Sequence, residues 1–367
     1  MYSNIQTCRF YVNTLSWLHA SGLVTGGSLL TSNQFLLNPT NQQNWAGRTA
    51  EYLATDNGHG VSQNKTNVIF IADNKTGEGI PLSDIFVNDS AYVAILGHNF
   101  KSANAQLKLQ EILNSGEYEQ IQFNNNVVIN SEGLYPASFN YDGFSIRSIN
   151  EAYINADSAA FSFRLDSISG LPFPQTPKVG SVVMGNYFTM PSVDIQQNEG
   201  RHMDGVTKVR TPGGTDLYEH KYLRSRNWGN LAPWELHDPA NVKTNQTLAK
   251  VGRRSWSLSW SAVMGDKLIA PTEELETAIQ DTDDYTEGVD YIYSAGNRWI
   301  PSKRFNSNSD FYTQVVNRSY LQHPMIFQPD INDETNFAIV KIVSDSINYQ
   351  SVGYNTYRLK LDLAEVW

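Results

Sequence analysis

Residues 87–110 read VNDSAYVAILGHNFKSANAQLKLQ, and this stretch decides the fold. Tyr92, Val93, Ala94, Ile95 and Leu96 form an apolar run too short for an ordinary helix and partly β-branched, the pattern of a strand buried on both faces or nearly so. Gly97, His98 and Asn99 break the run. Beyond the break Ala105, Leu107 and Leu109 alternate with Gln106, Lys108 and Gln110, the period of a half-buried strand. Two such strands joined by a polar turn predict a β-sandwich.

Working outward, strand-like runs recur at 67–72, 121–123, 127–129, 139–149, 159–165, 179–190, 255–263, 311–316 and 337–343, most of them separated by Gly, Asn, Asp or Pro. Trp256, Leu258 and Trp260 alternate with Ser255, Ser257 and Ser259, so their apolar set faces one way. Residues 320–367 read as three strands, the last with Tyr357, Leu359, Leu361 and Leu363 on one face and Arg358, Lys360 and Asp362 on the other. Residues 10–24 suit a strand followed by a short helix. Elsewhere only 101–113 and 272–279 carry a helical pattern, the second opening on Pro271 and Thr272 with Glu273 and Glu274 in its first turn. The segment SISGLPFPQTPKVG at 167–180 holds three prolines and two glycines and marks a domain corner.

With its apolar strand ending in Gly97-His98-Asn99-Phe100, the chain resembles the discoidin-like, galactose-binding-type jelly roll, in particular the forms found in virion proteins of tailed bacteriophages. LNPTNQQNWAG at 37–47 looks like the leading strand and Trp-bearing loop of such domains, and FSFRLD at 161–166 like the late strand that returns across the sandwich. GNYFTMP at 185–191 and RRSWSLSW at 253–260 look like strands that follow the sandwich in those phage proteins. HPMIFQPD at 323–330 and the final EVW are similar to the endings of phage tail and baseplate structural proteins.

The resemblance implies an all-β chain, with a jelly-roll-like β-sandwich over 1–180 and a second β region with long loops over 181–367. It implies a structural component of the virion, in the tail, baseplate or an adaptor, whose partners are copies of itself and other virion proteins. Capsid decoration is the near alternative. A second alternative is a carbohydrate-binding host-adhesion module, with Trp45, His98 and Asn99 as candidate contacts to a host-surface glycan and Tyr92, Trp228 and Trp234 as further aromatic platforms. Residues such as His98 and Asn99 more ordinarily hydrogen-bond their own backbone in turns.

Residues 200–251 show few periodic segments and many turn residues, and a loop of that length is uncommon unless it is functional or packs on a neighbour. Tyr218, Tyr222, Trp228 and Trp234 argue against simple disorder, which is poor in aromatics, and are candidates for an assembly arm. The alternative is an aromatic loop covering its own sandwich.

The net charge of -10 argues against sequence-independent nucleic-acid binding, which needs Lys and Arg to displace phosphate counterions. Arg201, Lys208, Arg210, Lys221, Arg224, Arg226, Arg253 and Arg254 are interleaved with Asp204, Asp216, Glu219 and Glu235, which reads as a mixed solvated or interface surface. The single cysteine, Cys8, allows no intramolecular disulfide and reads as a small buried hydrophobe. No apolar run reaches the length of a bilayer and the N-terminus lacks a signal-peptide pattern, so a soluble protein without membrane insertion is expected.

No phosphate loop, G-x-S-x-G elbow or H-E-x-x-H stands in the sequence, and the seven histidines are scattered. His202 with Asp204, and His220 with His237 and Asp238, read as surface histidines. The acidic run 281–287 fails the calcium-loop template, because Tyr285 takes the third ligand position and Gly288 comes too late. A non-enzymatic protein is expected, with no catalytic residue, cofactor or metal assigned. A hydrolase with two converging carboxylates is the third reading.

Overall fold

A computed structural model of the 367-residue chain describes residues 7–20, 24–26, 43–44, 65–72, 90–113, 118–154, 158–170, 172–195, 198–202, 206–220, 253–268, 310–319, 321, 323–333, 336–344 and 346–366. In chain order the strands are β1 (Thr7–Tyr11), β2 (Val24–Gly26), β3 (Gln43–Asn44), β4 (Lys65–Ala72), β5 (Ala91–His98), β6 (Ala105–Leu113), β7 (Tyr118–Ile121) and β8 (Phe123–Ile129). Next come β9 (Ser131–Glu132), β10 (Ser138–Phe139), β11 (Gly143–Ile149), β12 (Ser158–Ser167), β13 (Lys178–Val179), β14 (Ser181–Ser192) and β15 (Asn198–His202). The last are β16 (Val206–Arg210), β17 (Asp216–His220), β18 (Arg253–Met264), β19 (Met325–Gln328), β20 (Ala338–Ile342), β21 (Tyr349–Gly353) and β22 (Thr356–Glu365). Short α-helices α1 (Thr14–Ala20) and α2 (Gly265–Leu268), a 3-10 turn at Glu151–Tyr153 and a π-helical turn at Tyr312–Asn317 complete the described set.

The fold is an all-β sandwich in which every described pairing is antiparallel. The larger sheet has eleven strands in the order β15-β18-β22-β20-β19-β1-β14-β5-β11-β8, with β21 on β22. A five-stranded sheet, β2-β4-β12-β6-β7, faces its β5 end. Between the two lies the first core, where Val93 and Ile95 of β5 and Val182 and Met184 of β14 meet Leu107 and Leu109 of β6 and Phe161, Phe163 and Leu165 of β12. A second core continues along the large sheet. Phe10, Phe188, Trp256, Leu258, Trp260, Phe327, Leu359 and Leu361 are covered there by Phe311, Val315 and Val316 of the helical turn and by Leu268 of α2.

The large sheet is strongly curled. Five strand steps separate β20 from β11, about 24 Å across a flat sheet. Yet Phe337, next to β20, has its ring 5.5 Å from that of Phe144 in β11. The inside of the curl holds a third core of Tyr11, Tyr92, Leu96, Val183, Ile326 and Ile339. Two buried phenols satisfy their hydroxyls within it, Tyr92 donating to the Val12 carbonyl and Tyr11 to Gln328 Oε1, each at 2.9 Å. Burial pushes the Tyr11 phenol up to about 12.

At the other end of the large sheet, Arg254 on β18 and Glu365 on β22 form a buried ion pair at 2.8 Å. The same guanidinium donates to Asn336 Oδ1 at 2.7 Å and to the Phe337 carbonyl at 2.6 Å, and stacks over Trp256. These bonds fasten β18, β22 and the start of β20 to one another, and removing one partner would strand a buried charge.

Several local expectations change. The 101–113 helical pattern resolves into one turn, with Ala103 donating to Asn99 and Ala105 to Phe100, ended by Asn104 at a φ of 52° before β6 begins. Burying Leu107 and Leu109 in the first core outweighs helix formation there. Residues 311–316 are helical and not a strand, because the Asp310 carboxylate caps the Thr313 N–H at 2.8 Å and Phe311, Val315 and Val316 all land on the buried side. The C-terminal segment holds four strands, β19 to β22, where three were read. Part of 200–251 is regular, as β15 ends in it and β16 and β17 lie within it. The helical pattern at 272–279 and the acidic run at 281–287 lie outside the described residues.

Gly185, at the middle of β14, is where the segment after β1 passes closest. A Cβ there would overlap the Val12 carbonyl oxygen and lie 2.6 Å from Thr14 Oγ1. That carbonyl is the acceptor for the buried Tyr92 hydroxyl. Gly185→Ala is therefore expected to lower stability by about 3 kcal/mol or more, from overpacking plus a lost buried hydrogen bond. Gly213→Ala, whose nearest neighbour would be 4.0 Å away, is expected to stay within about 0.5 kcal/mol of the parent. Urea unfolding of the two variants measures both.

Candidate interaction surface

The β16–β17 hairpin is built locally. Thr207 to Arg210 and Asp216 to Glu219 alternate in register, with Val209 opposite Leu217 and Lys208 opposite Tyr218. Thr211 to Thr215 make a five-residue connection around Pro212 and two glycines, with Gly214 at a φ of +84° in the left-handed region that glycine adopts without strain. Gly214 donates to the Thr211 carbonyl at 2.9 Å, and the Thr211 hydroxyl both donates to the Thr215 carbonyl and accepts from its N–H, each at 3.1 Å. Lys208 pairs with Asp216 at 2.7 Å on the surface, a contact worth ~0–1 kcal/mol.

The hairpin forms a two-stranded sheet of its own. Val209 is 55% exposed, Leu217 56% and Tyr218 56%, so both of its faces present apolar side chains to solvent. An isolated two-stranded ribbon is marginally stable in water. Exposed Val and Leu on such a ribbon gain most when a second surface covers them.

A second exposed apolar group surrounds the β21–β22 turn. Every residue of β21 is exposed, and Tyr349, Val352, Tyr354 and Met264 all project large side chains. Gly265 donates to the Asn355 carbonyl at 2.9 Å and holds the tip of the turn against α2.

Of the candidate arm residues, Tyr218 stands on β17 with its ring beneath Lys208 Nζ, 5.5 Å from the ring centre. Tyr222, Trp228 and Trp234 lie outside the described residues, as does Trp45 of the glycan set. His98 and Asn99 are neighbours in the chain but serve different ends. His98 closes β5 and is 1% exposed, stacked on Phe100 at 4.7 Å and beside Phe139 at 5.0 Å. Its Nδ1 accepts the Phe100 N–H at 3.3 Å, so the turn-bonding role holds and the ring offers no surface to a sugar.

Asn99 donates from its amide to the Thr176 carbonyl at 3.1 Å, and its Oδ1 accepts the Lys178 N–H at 2.6 Å. It staples the turn to the segment before β13. Tyr92, a further aromatic platform, is fully buried. Arg254, grouped by sequence with the surface cations, is buried in the ion pair with Glu365. Val209 and Leu217 were missed by the sequence reading, although a Pro-Gly-Gly turn between alternating segments marks a hairpin.

Cys8 is buried, and burial raises its thiol far above the ordinary range. Among the described residues no group of three His, Cys, Asp or Glu is placed to hold a metal ion, and no helix is long and apolar enough to cross a membrane. No family model, curated protein or solved structure matches the chain.

Burial holds the His98 imidazole down at about 3, against an ordinary value near 6.5. Because the unfolded chain takes up this proton and the folded chain does not, stability from this group is full above pH 6.5 and falls as pH drops below it. The expected slope is about 1 kcal/mol per pH unit between pH 6 and 5. Denaturant unfolding across that window should show a smaller slope for His98→Asn, which keeps an acceptor for the Phe100 N–H. An unchanged slope contradicts the assignment.

Proposed function

We propose that this chain is a structural component of a tailed-phage virion, in the tail, the baseplate or an adaptor, and that it works through protein–protein assembly contacts. The observation that carries the reading is the β16–β17 hairpin, which stands as a separate ribbon and exposes Val209, Leu217 and Tyr218 on its two faces. A ribbon of this kind contributes little to its own sandwich and fits a role in reaching a neighbour. The resemblance of residues 87–110 and 323–330 to phage virion proteins supplies the class of particle. In a symmetric assembly the contact is repeated in every subunit, so modest affinity per contact suffices. The carbohydrate-binding alternative draws no support from His98 or Tyr92, which are buried.

Mass spectrometry of purified particles of the encoding phage is expected to find this chain in stoichiometric amount, and its absence from them would sink the reading. In the isolated protein, the triple variant Val209→Ser, Leu217→Ser, Tyr218→Ser is expected to weaken binding to its neighbour in the particle at least about ten-fold. Its melting temperature should stay close to the parent's, because all three side chains are exposed.

A further inference from the structure

β15 is the terminal strand of the eleven-stranded sheet, and among the described residues no strand lies on its outer side. Its sequence is Asn198-Glu199-Gly200-Arg201-His202, and four of its five residues are exposed. On its inner side it pairs with β18 over its whole length, from Asn198 opposite Ser257 to His202 opposite Arg253. The ion pairs of the described residues engage neither Glu199 nor Arg201. A sheet edge with free backbone groups is a template for another strand, and edges that must stay single are usually blunted by charges, prolines or bulges. β15 carries charges, but in an order that is complementary to itself.

We propose that β15 pairs antiparallel with β15 of a second copy of this chain about a twofold axis through Gly200. In that register Glu199 lies opposite Arg201 of the second copy, and Arg201 opposite its Glu199. Asn198 faces His202, and the two Gly200 residues meet at the axis with no side chain between them. The contact is isologous and closed, as a twofold interface requires. The neighbouring twofold registers of the same facing, centred on residue 199 or 201, set Glu against Glu or Arg against Arg, and like charges directly opposite destabilise a ladder. Two eleven-stranded sheets would then run on as one.

The inference deepens the assembly reading by naming one contact and its partner, and it rests on that reading for its purpose. A five-residue edge buries less than the roughly 1,200 Å² of a stable interface, so the isolated dimer is weak and forms at high protein concentration. Repetition within a particle strengthens it.

Sedimentation of the full chain at up to about 100 µM tests this by mass action. The wild-type chain is expected to dimerise. Glu199→Arg alone and Arg201→Glu alone should each weaken the dimer at least about ten-fold, since each mismatch occurs twice across the axis. The double swap in one chain, or an equimolar mixture of the two single variants, should restore it. Gly200→Cys, made together with Ser255→Ala because a Cβ at Gly200 would lie 2.8 Å from Ser255 Oγ, should form a disulfide-linked dimer on mild oxidation, since facing Cα atoms of an antiparallel pair lie within disulfide reach. Cys8 is buried, so the wild-type chain serves as the control.

A wild-type chain that stays monomeric overturns the proposal, as do single swaps that dimerise like the parent or a Gly200→Cys variant that does not cross-link. None of these results bears on whether the chain is found in particles, which tests the broader reading separately.

Discussion

β14 carries both halves of the molecule on one backbone, and the remaining architecture follows from that constraint. Its first six residues, Ser181 to Asn186, pair with β5, and from Tyr187 onward it pairs with β1. Val182 and Met184 enter the first core while Phe188 and Met190, on the same face, enter the second. A strand so placed cannot shift by one residue without turning both apolar sets to the wrong side. Gly185 marks the crossing, where the chain leaving β1 presses its Val12 carbonyl against β14 and receives the Tyr92 hydroxyl. β1 in turn joins β14 to β19, so the first described strand completes a ladder with residues more than three hundred positions away. Contacts of such separation make slow folding the expectation.

The local signals of this fold were legible because burial follows the pleat. Trp256, Leu258 and Trp260 are buried while Ser255, Ser257 and Ser259 are not, and Leu359, Leu361 and Leu363 behave in the same way. The near-continuous run from Tyr92 to Leu96 reads as a strand covered on both faces. The structure gives the reason, with Val93 and Ile95 in the sandwich core and Tyr92, Ala94 and Leu96 inside the curl. What the pattern could not carry is partnership. That β1 would lie between β14 and β19 depends on contacts across the whole chain, and no window of sequence holds that information.

The misread segments have local physical causes. At 311–316 a β-branched and aromatic run favours a strand, and the Asp310 cap together with the second core turns it helical. At 101–113 the polar residues suit a helix until Leu107 and Leu109 are needed in the sandwich. His98 stood in a polar turn motif, yet the last position of β5 points inward, so its ring became part of an aromatic cluster. Of the candidate site, only Tyr218 was found from sequence among the described residues. Val209 and Leu217 stand in a stretch dense in turn residues that reads as irregular chain, although Pro212, Gly213 and Gly214 between alternating segments are themselves the mark of a hairpin.

One strand unites two cores into a single cooperative body. Hydrogen exchange on the intact chain, followed by mass spectrometry through a denaturant series, tests it most directly. Peptides of β14 are expected to be among the slowest to exchange, and β5, β11, β19 and β22 to open with the same free energy as β14. If strands on the two sides of β14 opened with free energies differing by more than about 2 kcal/mol, the two cores would be independent units and the account would be wrong.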